Sequence, residues 1–207
     1  MITLFIDTSS SDVSIAIIND EKILASISKS IPNKHSVYTV HFIDEMIKQA
    51  NLTPTDIEKI MVVTGPGSFT GVRIGVTIAK VYAYLKKISI TSISSLKMMA
   101  ISNEHKYCLA LIDAHHNNYY IGLYDENNNE VISEQFNTKE KVLELIKKYQ
   151  PTLISNEEIE VGEYKVDKQS LDIIKITSYY QNKETLNSHF VLPNYLKLPQ
   201  ALEEKHD

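Results

Sequence analysis

The order of its apolar runs constrains this chain more than any other feature. Residues 2–6, 13–18 and 23–27 are rich in Val, Ile and Leu, and the polar stretches Ser9-Ser10-Ser11-Asp12 and Asn19-Asp20-Glu21 separate them, which predicts a three-stranded antiparallel meander. Residues 36–50 then read as a helix, and Thr55-Asp56-Ile57-Glu58 after Pro54 reads as a capped helical turn. Ile60 to Val63 is a short buried strand that ends at Gly65-Pro66-Gly67, and residues 69–85, with two glycines as the only breakers, form a long helix. A strand at 88–93 and a short helix at 94–101 follow. Strands at 107–113, 118–124 and 131–136 and a helix at 139–149 repeat this β-β-β-α-β-α order loosely. The pattern predicts an α/β fold of two similar half-domains, residues 1–101 and a smaller, more divergent 102–207, joined near 102–106. Beyond Pro151 the reading thins to a strand at 152–155, and Leu198-Pro199-Gln200 leads into a frayed acidic tail.

Composition narrows the function. The chain has 207 residues, 43% of them hydrophobic, enough for one large core or two small ones. Its net charge is −5 and its lysines and arginines are scattered, which argues against direct binding of nucleic acid. Cys108, the single cysteine, stands in an apolar strand and reads as an inert buried thiol in a reducing compartment. The N-terminus has no basic segment, and Asp7 interrupts the first apolar run far short of a membrane span. Cytoplasm is the expected location, with no membrane contact.

Gly65-Pro66-Gly67-Ser68-Phe69-Thr70-Gly71-Val72-Arg73-Ile74-Gly75 is the most specific segment. A glycine turn that opens a helix presents free backbone N–H groups, the physical basis of phosphate cradling. This one lacks the Lys-Ser/Thr ending of a P-loop, and its glycine spacing is one residue too long for a dinucleotide fingerprint. At about 100° per residue, Gly71, Gly75, Ala79 and Ala83 align as a stripe of small side chains. Each helix-interior glycine costs about 1 kcal/mol relative to alanine, so a close backbone is expected to offset it: either the chain's own sheet or a partner. On helix 36–50, Val40, Phe42, Ile43, Met46, Ile47 and Ala50 cover roughly 160° of the circumference, wider than one core stripe. The surplus at Tyr38, Phe42 and Met46 is a candidate partner surface, with a second contact inside the domain as the alternative.

Asp7-Thr8-Ser9 stands where actin-like ATPases carry an aspartate and small hydroxyl residues toward phosphate and metal, although an aspartate at a strand–turn junction is more often a turn former. His35 and His41 are too far apart on a helix to share a zinc ion, and His115 and His116 would point to opposite faces of a strand. No metal site is expected. A small actin-like ATPase or kinase using Asp7 and the 65–71 turn is the alternative function; it would need a second glycine-rich turn, and beyond residue 100 only Gly122 and Gly162 occur, each alone. A metallopeptidase lacks its His-x-x-x-His pair.

In order along the chain, Ile6-Asp7-Thr8-Ser9, Lys34-His35-Ser36, the Gly65–Gly75 segment, Asp113-Ala114 before Tyr119-Tyr120, and Pro193-Asn194-Tyr195-Leu196-Lys197 resemble the landmarks of the TsaB (YeaZ) family. The resemblance is strong from residue 2 to about 124 and thin thereafter; His41 stands where the family often has proline, and His115 where it often has arginine. It implies an actin-like (ASKHA, RNase H-like) fold without catalytic residues, and a non-catalytic subunit that binds and stabilises TsaD, which transfers a threonylcarbamoyl group to the adenosine next to the tRNA anticodon. It also implies a homodimer through the two N-terminal helices, TsaE as a further partner, and no cofactor, with ATP only at the complex interface. Carried onto this chain, the partner interface comprises His35, Ser36, Tyr38, Thr39, Phe42, Met46, Gly67, Phe69, Gly71, Val72, Arg73, Gly75 and Ala79, and Asp7, Thr8 and Ser9 form a vestigial phosphate site.

Overall fold

The computed structural model describes residues 1–102, 104–168 and 170–197; the expected acidic tail lies outside them. Strands β1 (Ile2–Asp7), β2 (Asp12–Asn19) and β3 (Lys22–Ser30) form the expected meander. β4 (Lys59–Gly65) then pairs parallel to β1, and β5 (Ser89–Ser94) parallel to β4, giving the sheet order β3-β2-β1-β4-β5. Parallel pairing requires crossovers, and helices α1 (His35–Gln49) and α2 (Phe69–Lys86) supply them. The turn before β4 is not helical: Asp56 instead accepts from the Thr53 N–H at 2.7 Å.

Both faces of this sheet are covered, so β1 and β4 are buried along nearly their whole lengths. One face (Leu4, Ile6, Ile15, Ile17) packs on α1 and α2, and the other (Phe5, Ile18, Met61, Ile93) packs on helices α3 (Ser95–Ile101) and α5 (Ile173–Tyr180). All seven residues of α3 are buried, because its opposite side seats on the second sheet through Leu96, Met99 and Ala100.

That second sheet repeats the first. β6 (Tyr107–Asp113), β7 (Asn118–Asp125) and β8 (Glu130–Thr138) are an antiparallel meander, and β9 (Thr152–Ser155) and β10 (Asp167–Lys168) add parallel to β6, so the order β8-β7-β6-β9-β10 matches that of the first sheet. α4 (Lys139–Tyr149) occupies the place of α1, and no helix stands between β9 and β10 where α2 would be.

The C-terminal stretch leaves this second unit. α5 returns to the first sheet with Ile176 fully buried, while Lys59 on β4 donates to the carbonyls of Tyr180 and Gln181 at its end. Leu186 then bridges Ile90, Val191 enters the core under α2, and the Asn194 N–H donates to Thr64 O at 2.7 Å. Residues 185–197 thus form an extended strap along α2 and the end of β4.

Candidate functional site

The Asp7–Ser9 turn lies against the start of α2, and the fit is close. The Thr8 hydroxyl donates to Gly71 O at 2.7 Å, and the Ser68 N–H donates to Ser9 O at 2.7 Å. A β-carbon on Gly71 would lie 2.1 Å from Thr8 O, and one on Gly75 2.3 Å from Thr8 Oγ1. The small-residue stripe is therefore the bed on which the chain's own first strand lies. Of the two partners open to it, the own sheet is the one it has, which corrects the placement of Gly71, Gly75 and Ala79 on a partner interface: all three are buried.

This contact ties up two of the four N–H groups at the start of α2. The Ser68 N–H is held by Ser9 O and the Gly71 N–H by the Ser68 hydroxyl, 3.2 Å away. Asp7 is turned to its own loop, where one carboxylate oxygen accepts from the Ser9 N–H at 2.8 Å and the Ser9 hydroxyl at 2.7 Å. Burial raises the Asp7 acid above the usual carboxylate range, although the Ser9 bonds work against that shift. The adjoining cleft between the two sheets, about 570 Å³, is lined by Asp7, Asp12, Asn156 and Lys168. Burial also raises Glu157, with Asp113 and Asp12 adding repulsion in the same direction. The cleft thus gathers negative charge, and among the described residues no three His, Cys, Asp or Glu side chains converge to hold a metal ion.

His115 and His116 stand in the β6–β7 turn, between the strands expected at 107–113 and 118–124, so the expectation that they point to opposite faces of a strand does not apply to them. His115, His116 and Asn117 all have left-handed backbones, with φ of 62°, 55° and 60°. Asp113 accepts from the His115 N–H, and the Asn118 amide donates to the carbonyls of His115 and His116, so short polar side chains hold a tight turn.

The residues assigned to the partner interface divide into two groups. His35, Thr39, Phe42, Met46 and Val72 lie in the interior: His35 Nε2 is 2.9 Å from Ser10 O, Thr39 donates to His35 O, and Phe42, Met46 and Val72 belong to the core between the helices and the sheet. Their assignment to a surface is corrected, because α1 packs on β2 and β3 on one side and on α2 on another, which buries Phe42, Ile43, Met46 and Ile47 of its apolar arc and leaves Val40 exposed. Gly67 sits on Ser9, where a β-carbon would lie 2.3 Å from Ser9 O. Ser36, Phe69 and Arg73 are exposed, with the Arg73 guanidinium 4.5 Å over the Phe69 ring, and half-buried Tyr38 stacks on Phe42.

The sequence reading named Phe69 for the interface and Val40 in the apolar arc of α1, and assigned the rest of the exposed apolar surface to no interface. Val37 and Val40 on α1, Phe69, Val81, Tyr84 and Leu85 on α2, and Phe190, Leu192 and Tyr195 on the strap are nine of the twelve exposed large hydrophobics among the described residues. They gather on one side of the first sheet, over α1 and α2. Spacing carried part of the signal: Val81 and Leu85 are four residues apart, on a helix whose other stripe already serves the core.

The comparisons with known proteins agree with this architecture. Residues 22–173 match the family described as TsaD, tRNA N6-adenosine threonylcarbamoyltransferase. The chain is 29% identical to the tRNA threonylcarbamoyladenosine biosynthesis protein TsaB of Bacillus subtilis, over 97% of this chain and 96% of that one. It is 32% identical to the Escherichia coli protein of the same name over 61% of this chain and 56% of that one. In structure it resembles YeaZ from Pseudomonas aeruginosa with a TM-score of 0.79 at 21% identity, covering 94% of this chain and 99% of that one. The repeated β-β-β-α-β sheets are those of the actin-like ASKHA fold, and the chain belongs to the TsaD-like family, within it to the TsaB (YeaZ) proteins.

Proposed function

We propose that this chain is a non-catalytic subunit of cytoplasmic tRNA threonylcarbamoyladenosine synthesis, which binds and stabilises TsaD through the outer faces of α1 and α2. The observation that carries the reading is that nine of the twelve exposed large hydrophobics among the described residues lie on that one side of the molecule. A monomer rarely leaves so much apolar surface contiguous unless a partner covers it. The Asp7–Ser9 turn supports the non-catalytic part, since the Ser68 and Gly71 N–H groups and one Asp7 carboxylate oxygen, which an actin-like ATPase could direct at phosphate and metal, are bonded within the chain. The same surface serves a homodimer in the absence of TsaD. TsaE is a further partner of the complex, ATP lodges only where subunits meet, and tRNA is not held directly by this chain.

The test is reconstitution with TsaD from the same source. Val81→Asp and Leu85→Asp alter exposed positions of α2, so they leave folding intact and abolish both copurification with TsaD and tRNA modification by the mixture. ATP hydrolysis by the purified chain alone that disappears in Asp7→Ala would instead establish the ATPase alternative.

A further inference from the structure

The strap adds to α2 a surface with a definite charge. Residues 59–102 contain Arg73, Lys80, Lys86 and Lys87 among their six cations and no Asp or Glu, and residues 185–197 contain no acidic residue either, although the chain as a whole has 26 acidic residues against 21 basic. The strap is held firmly: Lys80 Nζ donates to Val191 O at 2.9 Å, the Tyr84 and His189 rings meet edge to face at 5.4 Å, and Val191 is fully buried. With Val191 inward, its neighbours Phe190 and Leu192 point out, 73% and 70% exposed. A groove of about 620 Å³ runs between the last turn of α2 and the strap, with Tyr84, Leu85, Lys87 and His189 on its walls. Asp56 lies near Lys86, so the unopposed cations of this face are Arg73, Lys80 and Lys87.

From this arrangement we infer that the α2–strap half of the surface is built for a protein partner whose own contact is apolar at its centre and acidic at its rim, and that it discriminates against a second copy of this chain. The inference rests on the partner-subunit reading above. Phe190 and Leu192 supply the apolar anchors, and Arg73 and Lys87 meet carboxylates of the partner. A two-fold dimer is self-complementary, so pairing this half with its own copy sets cations against cations. Among the described residues, this side offers a second copy the carboxylates of Asp44 and Glu45 on α1 and of Asp56 beside Lys86; Asp44 already pairs with Lys48 at 2.6 Å, and Asp56 accepts from Thr53. Exchange of a homodimer for a heteromeric complex is thereby driven by charge at this half, while the α1 half accepts either occupant. Nucleic acid fits less well, because exposed Phe190, Leu192, Val81 and Leu85 separate the few cations.

The experiment measures binding of the full-length chain to TsaD from the same source by titration calorimetry, and its self-association by sedimentation, at about 50 and 300 mM salt. The heteromeric affinity falls about tenfold at the higher salt, whereas self-association holds or strengthens. Phe190→Ser/Leu192→Ser and Arg73→Glu/Lys87→Glu each weaken TsaD binding about tenfold or more, and the charge reversal flattens its salt dependence. Matching melting curves establish that the variants fold. If TsaD binds equally well at both salts, or if both double variants bind like wild type while Val81→Asp does not, the strap inference is wrong and the subunit reading stands. If wild type does not bind TsaD at all, both fail. Binding of tRNA that Arg73→Glu/Lys87→Glu abolishes, with TsaD binding unchanged, would reassign the face to nucleic acid.

Discussion

Gly71→Ala tests where the small-residue stripe of α2 belongs. The new β-carbon would lie 2.1 Å from the Thr8 carbonyl oxygen, about 1 Å inside the closest ordinary contact, and the obstacle is backbone that cannot rotate away. To accommodate it, α2 must lift from β1. Overpacking of this kind costs about 1–3 kcal/mol, and here the upper end applies. The Thr8–Gly71 hydrogen bond would lengthen beyond use, for about 1 kcal/mol more, while alanine returns about 1 kcal/mol through helix propensity. The net loss of about 2–3 kcal/mol corresponds to a fall in melting temperature of about 4–12 °C for a chain of this size, read by circular dichroism. Gly75→Ala provides the control, because its β-carbon meets the Thr8 hydroxyl at 2.3 Å, a side-chain atom that Thr8→Ala removes. Thr8→Ala should therefore rescue Gly75→Ala and fail to rescue Gly71→Ala, a coupling that a double-mutant cycle isolates. A Gly71→Ala protein that melts like wild type but no longer binds a partner would refute the packing and return the stripe to an interface.

Three further outcomes follow from buried groups. Asp7 has a folded-state acid raised by burial, so its favourable contribution is full below the ordinary carboxylate range and is lost as pH rises through the folded value; Asp7→Asn, which keeps the acceptor for Ser9, should add about 1–3 kcal/mol to stability at pH near 8 and little near 4, and a pH-independent difference in urea unfolding would contradict this. Ile176→Ala, in the fully buried contact of α5 with the first sheet, should cost about 2–5 kcal/mol in the same assay; a loss under 1 kcal/mol would mean that the helix is not docked. The Cys108 thiol is buried and pushed up to about 12, so it should resist a thiol reagent at pH 8 until the chain unfolds; prompt labelling of the native protein would count against the strand packing.

The regular elements through β9 were legible because each carries a period of its own, and helix 139–149 and strand 152–155 fall at the boundaries their patterns predict. α5 was not. Asp172 caps it by accepting from the Lys175 N–H, and Ile173, Ile174 and Ile176 give it an apolar side, but eight residues are too few for a period to stand out. Its place depends on knowing that the second face of the first sheet lacks a cover, which is a tertiary fact. The stripe of Gly71 and Gly75 announced a close backbone without saying whose. Phe42 and Met46 looked surplus because a helix packed between a sheet and a second helix buries a wider arc than a helix packed on a sheet alone. The strap was illegible for another reason: Phe190, Val191 and Leu192 alternate out, in and out, but three residues of alternation carry little weight in a segment with no other regularity.

The return of α5 and the strap to the first sheet sets an order for synthesis. Phe5, Ile18, Met61 and Ile93 are made early, yet the helix that covers them begins at Ile173, and the Val191 side chain that completes the core under α2 follows later still. For most of translation the first lobe therefore carries an unfinished apolar face, a condition that invites association with other chains or with chaperones. A fragment ending near residue 101 would retain that bare face permanently, so the first topological repeat depends on residues made after the second, and emergence of α5 and the strap is the event that closes the first lobe.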